Sequence, residues 1–552
     1  MASEKDTLLR TLFPSLTLQQ QLAAALPKGF TSKFYHLSTP PTRCPALYSA
    51  PPDGRPDRTY CASHFLAISI QAPAAGSASE VIIYAIEVLI YSTASSTTFF
   101  VSKADSTGYL HLLNIPAGTP SPLREFSAVF LRHLVEQHQR GNVRSVVSLF
   151  ARSQNQYLFP GSIDNVGKHL QDDRGLIRWW CRVLDPLIKD APTSTMLGHS
   201  QWESVKAFLM VPGLDTTETR LYIPSESRGA NSSWTIGHPL RQISRFPGDI
   251  PPRCLIPRFP DDPKARYLEE LDREISKGHN GENGLWKSVK SIDQFWDLMA
   301  FRQECSAGRL VGFIWIVFEP TSQLEPTGSF MGDSQATAMS VESQTWDTDG
   351  SFLRGTTPAT SFAASSQIQP FISPAKSDAT THYSPRKRSP SVASSRRGKE
   401  KLSGPIITRQ PRLKTEDGNY ITSRPESTAY YVWRPSGRGQ VIVEDSDYKR
   451  INELLLSLDF ANFELAASSS KHWIEEVRSS AWGSEGEVWG QTVVGTREVK
   501  KTEEKAASGV NTLNMGLVRK KRKDAPTEDA LSEKPPHVNV LSGSMVRKKA
   551  KV

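Results

Sequence analysis

Val81-Ile82-Ile83-Tyr84-Ala85-Ile86-Glu87-Val88-Leu89-Ile90-Tyr91-Ser92 is rich in β-branched and aromatic residues and reads as a strand. It contains Glu87 and is far shorter than the ~20 apolar residues that span a bilayer. Similar runs flank it at Phe65–Ile70 and Thr98–Ser102, and three such neighbours form a meander that opens a sheet. Towards the N-terminus, Leu8, Leu9, Leu12, Phe13, Leu18, Leu22 and Leu26 fall at helical spacing, with Pro14 dividing two short helices. Towards the C-terminus, Ser121–Gln139 reads as a helix ended by Gly141-Asn142, and Val143–Phe150 as a buried strand. Further helices are predicted at Gly175–Lys189, with a kink at Pro186, directly after Pro263, and at Ile292–Cys305. Strands with interspersed helices predict an α/β core.

At 552 residues the chain has room for a large core, but not all of it has core-forming composition. From about Pro320 to Ser427, Ser, Thr, Pro, Gly and Ala dominate, which predicts disorder. Apolar residues return at Tyr430–Trp433, Val441–Val443 and a predicted helix from Tyr448 to about Leu465. The predicted organisation is a core at 1–319, a disordered basic insertion at 320–427, a strand and helix returning to the core at 428–490, and a basic disordered tail at 491–552. The insertion holds Ser384-Pro385 and Ser389-Pro390, the pattern of proline-directed phosphorylation. In the tail, Val510-Asn511-Thr512-Leu513 with Leu517-Val518-Arg519-Lys520-Lys521 recurs as Val538-Asn539-Val540-Leu541 with Met545-Val546-Arg547-Lys548-Lys549. Such a repeat suits a docking peptide or a nuclear-import signal.

The net charge is +9, but residues 354–430 carry +8 and 510–552 carry +6, leaving −5 on everything else. A mildly acidic body with basic flexible segments suits a basic protein substrate and argues against direct DNA binding. The five cysteines are scattered without a CxxC, which suits a reducing compartment and speaks against structural zinc. With no signal peptide or membrane-spanning run visible, the expectation is a soluble intracellular protein.

No Walker loop, GxGxxG after a strand, GxSxG or HExxH is present. Four other segments draw attention. Phe99-Phe100-Val101-Ser102-Lys103-Ala104-Asp105 runs from an apolar strand into a polar turn, and a strand edge beside a lysine can bind a pantetheine arm and a phosphate. Arg152, Lys168 and His169 can surround phosphates. Trp179-Trp180 places two indoles on different sides of one helix. Phe259-Pro260-Asp261-Asp262-Pro263-Lys264 sets two carboxylates before a helix, where an N-cap is the plain reading.

Taken in order, Phe100-Val101-Ser102-Lys103-Ala104-Asp105, Gln156-Tyr157-Leu158-Phe159-Pro160, Lys168-His169, Trp179-Trp180 and Phe259–Arg266 resemble the fungal histone acetyltransferase family called regulator of Ty transposition. That family is distantly related in fold to the CREB-binding-protein acetyltransferases. The resemblance covers about residues 65–305 and implies a central mixed β-sheet flanked by helices, with acetyl-CoA as co-substrate and no metal. It implies that Phe100, Val101, Lys103 and Ala104 hold the pantetheine. Arg152, Asn155, Gln156, Leu158, Phe159, Lys168 and His169 would lie over the pyrophosphate and adenosine. Tyr157, Trp179 and Trp180 would wall the substrate lysine, Asp105 and Asp262 would be acidic positions needed for activity, and Lys264 would be self-acetylated. The implied substrate is newly made histone H3, delivered with H4 by histone chaperones in the nucleus, in replication-coupled nucleosome assembly and DNA-damage tolerance. On the residues alone, two other readings stay open: a non-catalytic chromatin adaptor docking chaperones through its tail, and an acyltransferase for small amines.

Overall fold

The computed structural model describes residues 16–321, 424–480 and 489–498, apart from short breaks at 53, 74–77, 114, 116–118, 192–201, 230, 247–249, 277–284, 303–304 and 306–307. All of these described residues belong to one compact unit. The predicted helix before Pro14, the two Ser-Pro sites and the tail repeat lie outside the described residues.

The meander forms as the sequence predicts, with longer strands. β1 (Thr31–Ser38) and β2 (Thr42–Cys44) precede β3 (Thr59–Pro73), β4 (Ala78–Ser92) and β5 (Ser96–Ser106). The parallel partner of β5 is β6 (Arg144–Ala151), followed by β7 (Trp202–Met210), β8 (Trp234–Ile236) and β9 (Gly312–Pro320). The segment after the insertion adds β10 (Val441–Ile442) and β11 (Gln491–Val494). Among the described residues these form one mixed sheet in the order β10-β1-β3-β4-β5-β6-β9-β7-β8, with β2 on β3 and β11 on β1. The outer edge of β1 is shared: Leu37 and Ser38 pair in parallel with Val441 and Ile442, while Thr31–Phe34 pair antiparallel with Gln491–Val494.

Helices cover both faces. α1 (Leu18–Ala25) begins with a capping box, in which Thr17 and Gln20 satisfy each other's backbone N–H groups. α2 (Pro122–Gln137) starts on a proline, and α3 (Asp173–Lys189) is capped by Asp172 and carries Pro186 near its end. The short α4 (Thr216–Arg220), α5 (Ala265–Ser276) and α6 (Ile292–Met299) follow. After the insertion come α7 (Asp445–Ser457) and α8 (Phe463–Ser479). β9 shows why both faces are buried: Ile314, Ile316 and Phe318 enter the main core with α3. The alternate residues Phe313, Trp315 and Val317 pack with Phe295, Trp296 and Tyr267 on the other side.

Three expectations need correction. The single helix predicted at Tyr448–Leu465 is two, because Asn462 caps a new start by accepting the N–H of Leu465 at 3.0 Å. The helix predicted to run from Ile292 to Cys305 stops at Met299. The insertion and tail boundaries also shift: Trp433 N–H donates to Glu426 O at 2.6 Å, and Gln491–Val494 is a sheet strand, not tail. The insertion is otherwise outside the described residues. The return to the core is extensive, with α8 placing Ser470 Oγ as the acceptor for Ile82 N–H at 2.9 Å and burying Trp473 against Phe65.

Candidate active site

β5 and β6 pair only from Ser96↔Arg144 to Phe100↔Ser148, whereas β5 stays paired with β4 as far as Ser106. From Val101 onward β5 therefore has an edge that β6 does not use, and a pocket of about 390 Å³ opens there. Its walls bring together Val101, Lys103, Ala104, Asp105, Arg152, Tyr157, Lys168, His169, Trp179 and Trp180, ten of the residues singled out in the sequence. They come from one strand end, the loop after β6 and the first half of α3.

Asp105 is what draws the loop to the strand. Its Oδ2 accepts the backbone N–H groups of Tyr157 at 2.7 Å, Leu158 at 3.0 Å and Phe159 at 3.4 Å. Its Oδ1 accepts from Ser106 N–H at 2.8 Å and Lys168 Nζ at 2.9 Å. Lys168 donates also to Ser162 Oγ at 2.7 Å, and its side chain is 4% exposed. A buried charge needs such saturation. Gly108, at φ 90°, permits the approach, since a Cβ there would lie 2.6 Å from Lys168 N. Tyr157 donates its hydroxyl proton to Arg152 O, and burial pushes its phenol up to about 12. Asp105 is thus an anchor with five donors around it, and Tyr157 keeps its proton at neutral pH.

The Phe259–Lys264 segment behaves differently. Phe259 stacks on Phe100 with centroids 4.0 Å apart, beside Phe150, which lines the pocket. Asp262 accepts Lys264 Nζ at 2.8 and 2.6 Å and Lys264 N–H at 2.9 Å, and both side chains are almost fully buried. The ammonium also lies 4.9 Å from the centre of the Phe313 ring. Asp261, at φ 53° and largely exposed, instead pairs with Lys103 at 3.2 Å. Lys103 has a second partner in Glu87 at 3.5 Å, and Glu87 accepts from Tyr448 Oη at 2.9 Å and Asn452 Nδ2 at 3.3 Å. Burial works to lower the Lys103 pKa, but Glu87 and Asp261 outweigh it and the pKa is raised.

The remaining expected site residues lie elsewhere. Phe100 is enclosed by Leu47 and Phe259 and is not part of the pocket wall. Leu158 and Phe159 turn into the core, where Phe159 meets Phe460, because Asp105 fixes their backbone at the pocket and sends the side chains inward. Asn155 and Gln156 are exposed and off the wall. Asp262 and Lys264 are buried against each other, and neither lines the pocket. Sequence reading missed Tyr84, Ser102, Leu149 and Phe150 as wall residues. Leu149 and Phe150 carried a signal, since adjacent strand residues point to opposite faces and one must border any gap beside β6.

An apolar cleft between splayed strands, with the cation Arg152 and the exposed His169 at its wall, fits an acyl carrier with a long neutral arm and a phosphorylated end. Among the described residues no group of His, Cys, Asp and Glu is arranged to hold a metal ion. No described helix is long and apolar enough to cross a membrane. The family model of the histone acetyltransferase KAT11-type domain matches residues 18–145 and 140–476. The histone acetyltransferase rtt109 of Aspergillus flavus is 38% identical, over 96% of this chain and 98% of its own length. The protein of the same description from Schizosaccharomyces pombe is 32% identical over 56% of this chain and 73% of its own. The crystal structure of Rtt109 from Aspergillus fumigatus superposes with a TM-score of 0.63 at 38% identity, covering 88% of this chain and all of that one. The chain belongs to the Rtt109 family of KAT11-type histone acetyltransferases.

Proposed function

We propose that this histone acetyltransferase uses the β5–β6 cleft to transfer acetyl from acetyl-CoA to lysines of newly synthesised histone H3, on its core helix and tail, presented with H4 by histone chaperones in the nucleus. The observation that carries the reading is the unpaired β5 edge from Val101 to Ser106, facing Trp180 and Tyr157 across one pocket. Bound acetyl-CoA supplies a thioester whose carbonyl carbon the lysine nitrogen attacks, the new C–N bond replacing the C–S bond as the amine proton ends on the CoA sulfur.

The residues support this by placement. A lysine with an ordinary pKa of about 10.4 reacts only as the neutral amine. Trp179, Trp180 and Tyr157 exclude water around its stem and favour loss of its proton. Asp105 positions the Tyr157–Phe159 backbone, and Asp262 holds the turn that backs Phe100. Since both carboxylates are saturated with donors, proximity and desolvation carry the rate, and neither is assigned as general base. Arg152 and His169 meet the phosphates. Lys264, sealed against Asp262, accepts an acetyl group only if this turn opens, which makes its self-acetylation an incorporation that accompanies folding or breathing of the segment.

The test is acetyl-CoA with H3–H4 and a histone chaperone, read by mass spectrometry. Acetylated H3 supports the proposal, with Asp262→Asn strongly impaired. Absence of any H3 acetylation by the parent protein rules it out. The non-catalytic adaptor predicts no acetyl-CoA binding by calorimetry.

A further inference from the structure

The irregularity between β4 and β5 leaves an unused hydrogen-bonding group in the pocket wall. Glu87 pairs with Lys103 and Val88 with Val101, so Ser102 is an additional residue in β5 with no opposite number. Bulges of this kind re-aim a side chain beside active sites. Ser102 lines the pocket, is 8% exposed, and its hydroxyl has no hydrogen-bond partner among the described residues. An unpaired buried hydroxyl carries a desolvation penalty that native structures avoid unless something else completes it.

The bulge is held in place. Glu87, on its β4 side, accepts from Tyr448 and Asn452 and pairs with Lys103, so the residues around Ser102 are tied to α7. Among the described residues, one other pocket-lining side chain has a buried polar atom left unpaired, Arg152 at Nε. A ligand completing both groups has an anionic part for Arg152 and a neutral polar group, set along an apolar stem, for Ser102. The cation nearest Ser102 in sequence, Lys103, is already neutralised by Glu87 and Asp261, which favours a neutral partner at the bulge.

We infer that the Ser102 hydroxyl is a ligand contact that hydrogen-bonds an amide of the pantetheine arm of CoA, an inference that rests on the function proposed above. A hydroxyl both donates and accepts, which suits an amide. It binds the arm and takes no part in acyl transfer.

Calorimetry on the full chain tests this with two probes, CoA and adenosine 3′,5′-bisphosphate, which lacks the arm. Ser102→Ala is expected to weaken CoA binding about 5–10-fold, the loss of one net hydrogen bond, while leaving the bisphosphate affinity unchanged. Its urea midpoint should equal or exceed the parent's, because an unpaired buried hydroxyl has been removed. Unchanged CoA affinity overturns the inference. So does equal weakening of both probes, or a lower urea midpoint, either of which makes Ser102 a structural residue. A parent protein that binds neither probe overturns the proposed function itself, and is recognised by the parent's own failure.

Discussion

Among the described residues two buried lysine–aspartate pairs stand out, and they are built on opposite plans. Lys168–Asp105 joins a loop to a strand 63 residues away, and the carboxylate takes four backbone N–H groups besides the ammonium. Lys264–Asp262 spans two residues, and all three donors to its carboxylate come from Lys264. The first pair makes tertiary structure, pinning the backbone of the Tyr157 loop to β5 while Leu158 and Phe159 pack into the core. The second makes a rigid turn that a short peptide segment closes by itself.

A third buried polar cluster, made of histidines, sets the response to acid. His36, His64, His133 and His138 are buried together between β1, β3 and α2, with His36 Nε2 and His64 Nδ1 3.0 Å apart. Burial pushes His133 and His138 down to about 4, and His36 and His64 well below the usual imidazole value. Unfolded, each takes a proton near pH 6.5, so the unfolded state binds more protons below that pH and stability falls as pH drops from 6.5 towards 4. His133 and His138 alone predict a loss on the order of 4 kcal/mol by pH 5, measurable by urea unfolding at pH 7 and 5. Equal unfolding free energies at the two pH values would remove the histidine cluster as an acid-sensitive element.

Asp105→Asn should be the most damaging single change. It leaves Lys168 buried without its counter-charge, at a cost of about 3–5 kcal/mol, and loosens the Tyr157 loop, lowering acetyl transfer by about 100-fold or more. Wild-type activity with unaltered urea stability would erase the contrast between the pairs. Asp262→Asn should fall at the lower end, about 3 kcal/mol, because the Lys264 ammonium keeps the Phe313 ring as a partner. Differential hydrogen exchange should show protection lost around 259–265 but retained at Leu158 and Phe159; loss at both would mean that the pairs are coupled. Tyr448→Phe gives the smallest effect, about 1 kcal/mol, since Glu87 keeps Asn452 and Lys103. A several-fold larger penalty would make α7 a third anchor of the pocket.

How much was readable follows from the same contrast between local and long-range ties. β3, β4 and β5 were visible because each is a long apolar run. β1 was not: Thr31–Ser38 includes Lys33 and His36 and becomes a strand because β3, β10 and β11 pair with it. β9 is as apolar as β4, but it abuts the composition change at Pro320 that marks the insertion. In the site, contiguous motifs such as Val101–Asp105 stood out, whereas Leu149 and Phe150 look like any buried strand. The helix-start reading of Asp262 was available from Pro263 alone. The anchoring role of Asp105 was not, because the N–H groups it accepts lie more than fifty residues along the chain.

The shared edge of β1 also sets a timetable. Its two partners, Val441–Ile442 and Gln491–Val494, are translated about 400 and about 460 residues after it. At ~5–20 residues per second, that edge waits roughly 20–80 s on the ribosome before the first of these two partners is made. An open strand edge is a template for pairing with other chains. A transcript cut short within the insertion would therefore release a protein with its meander formed and its edge bare, a product fit for aggregation or for a holding chaperone rather than for chemistry.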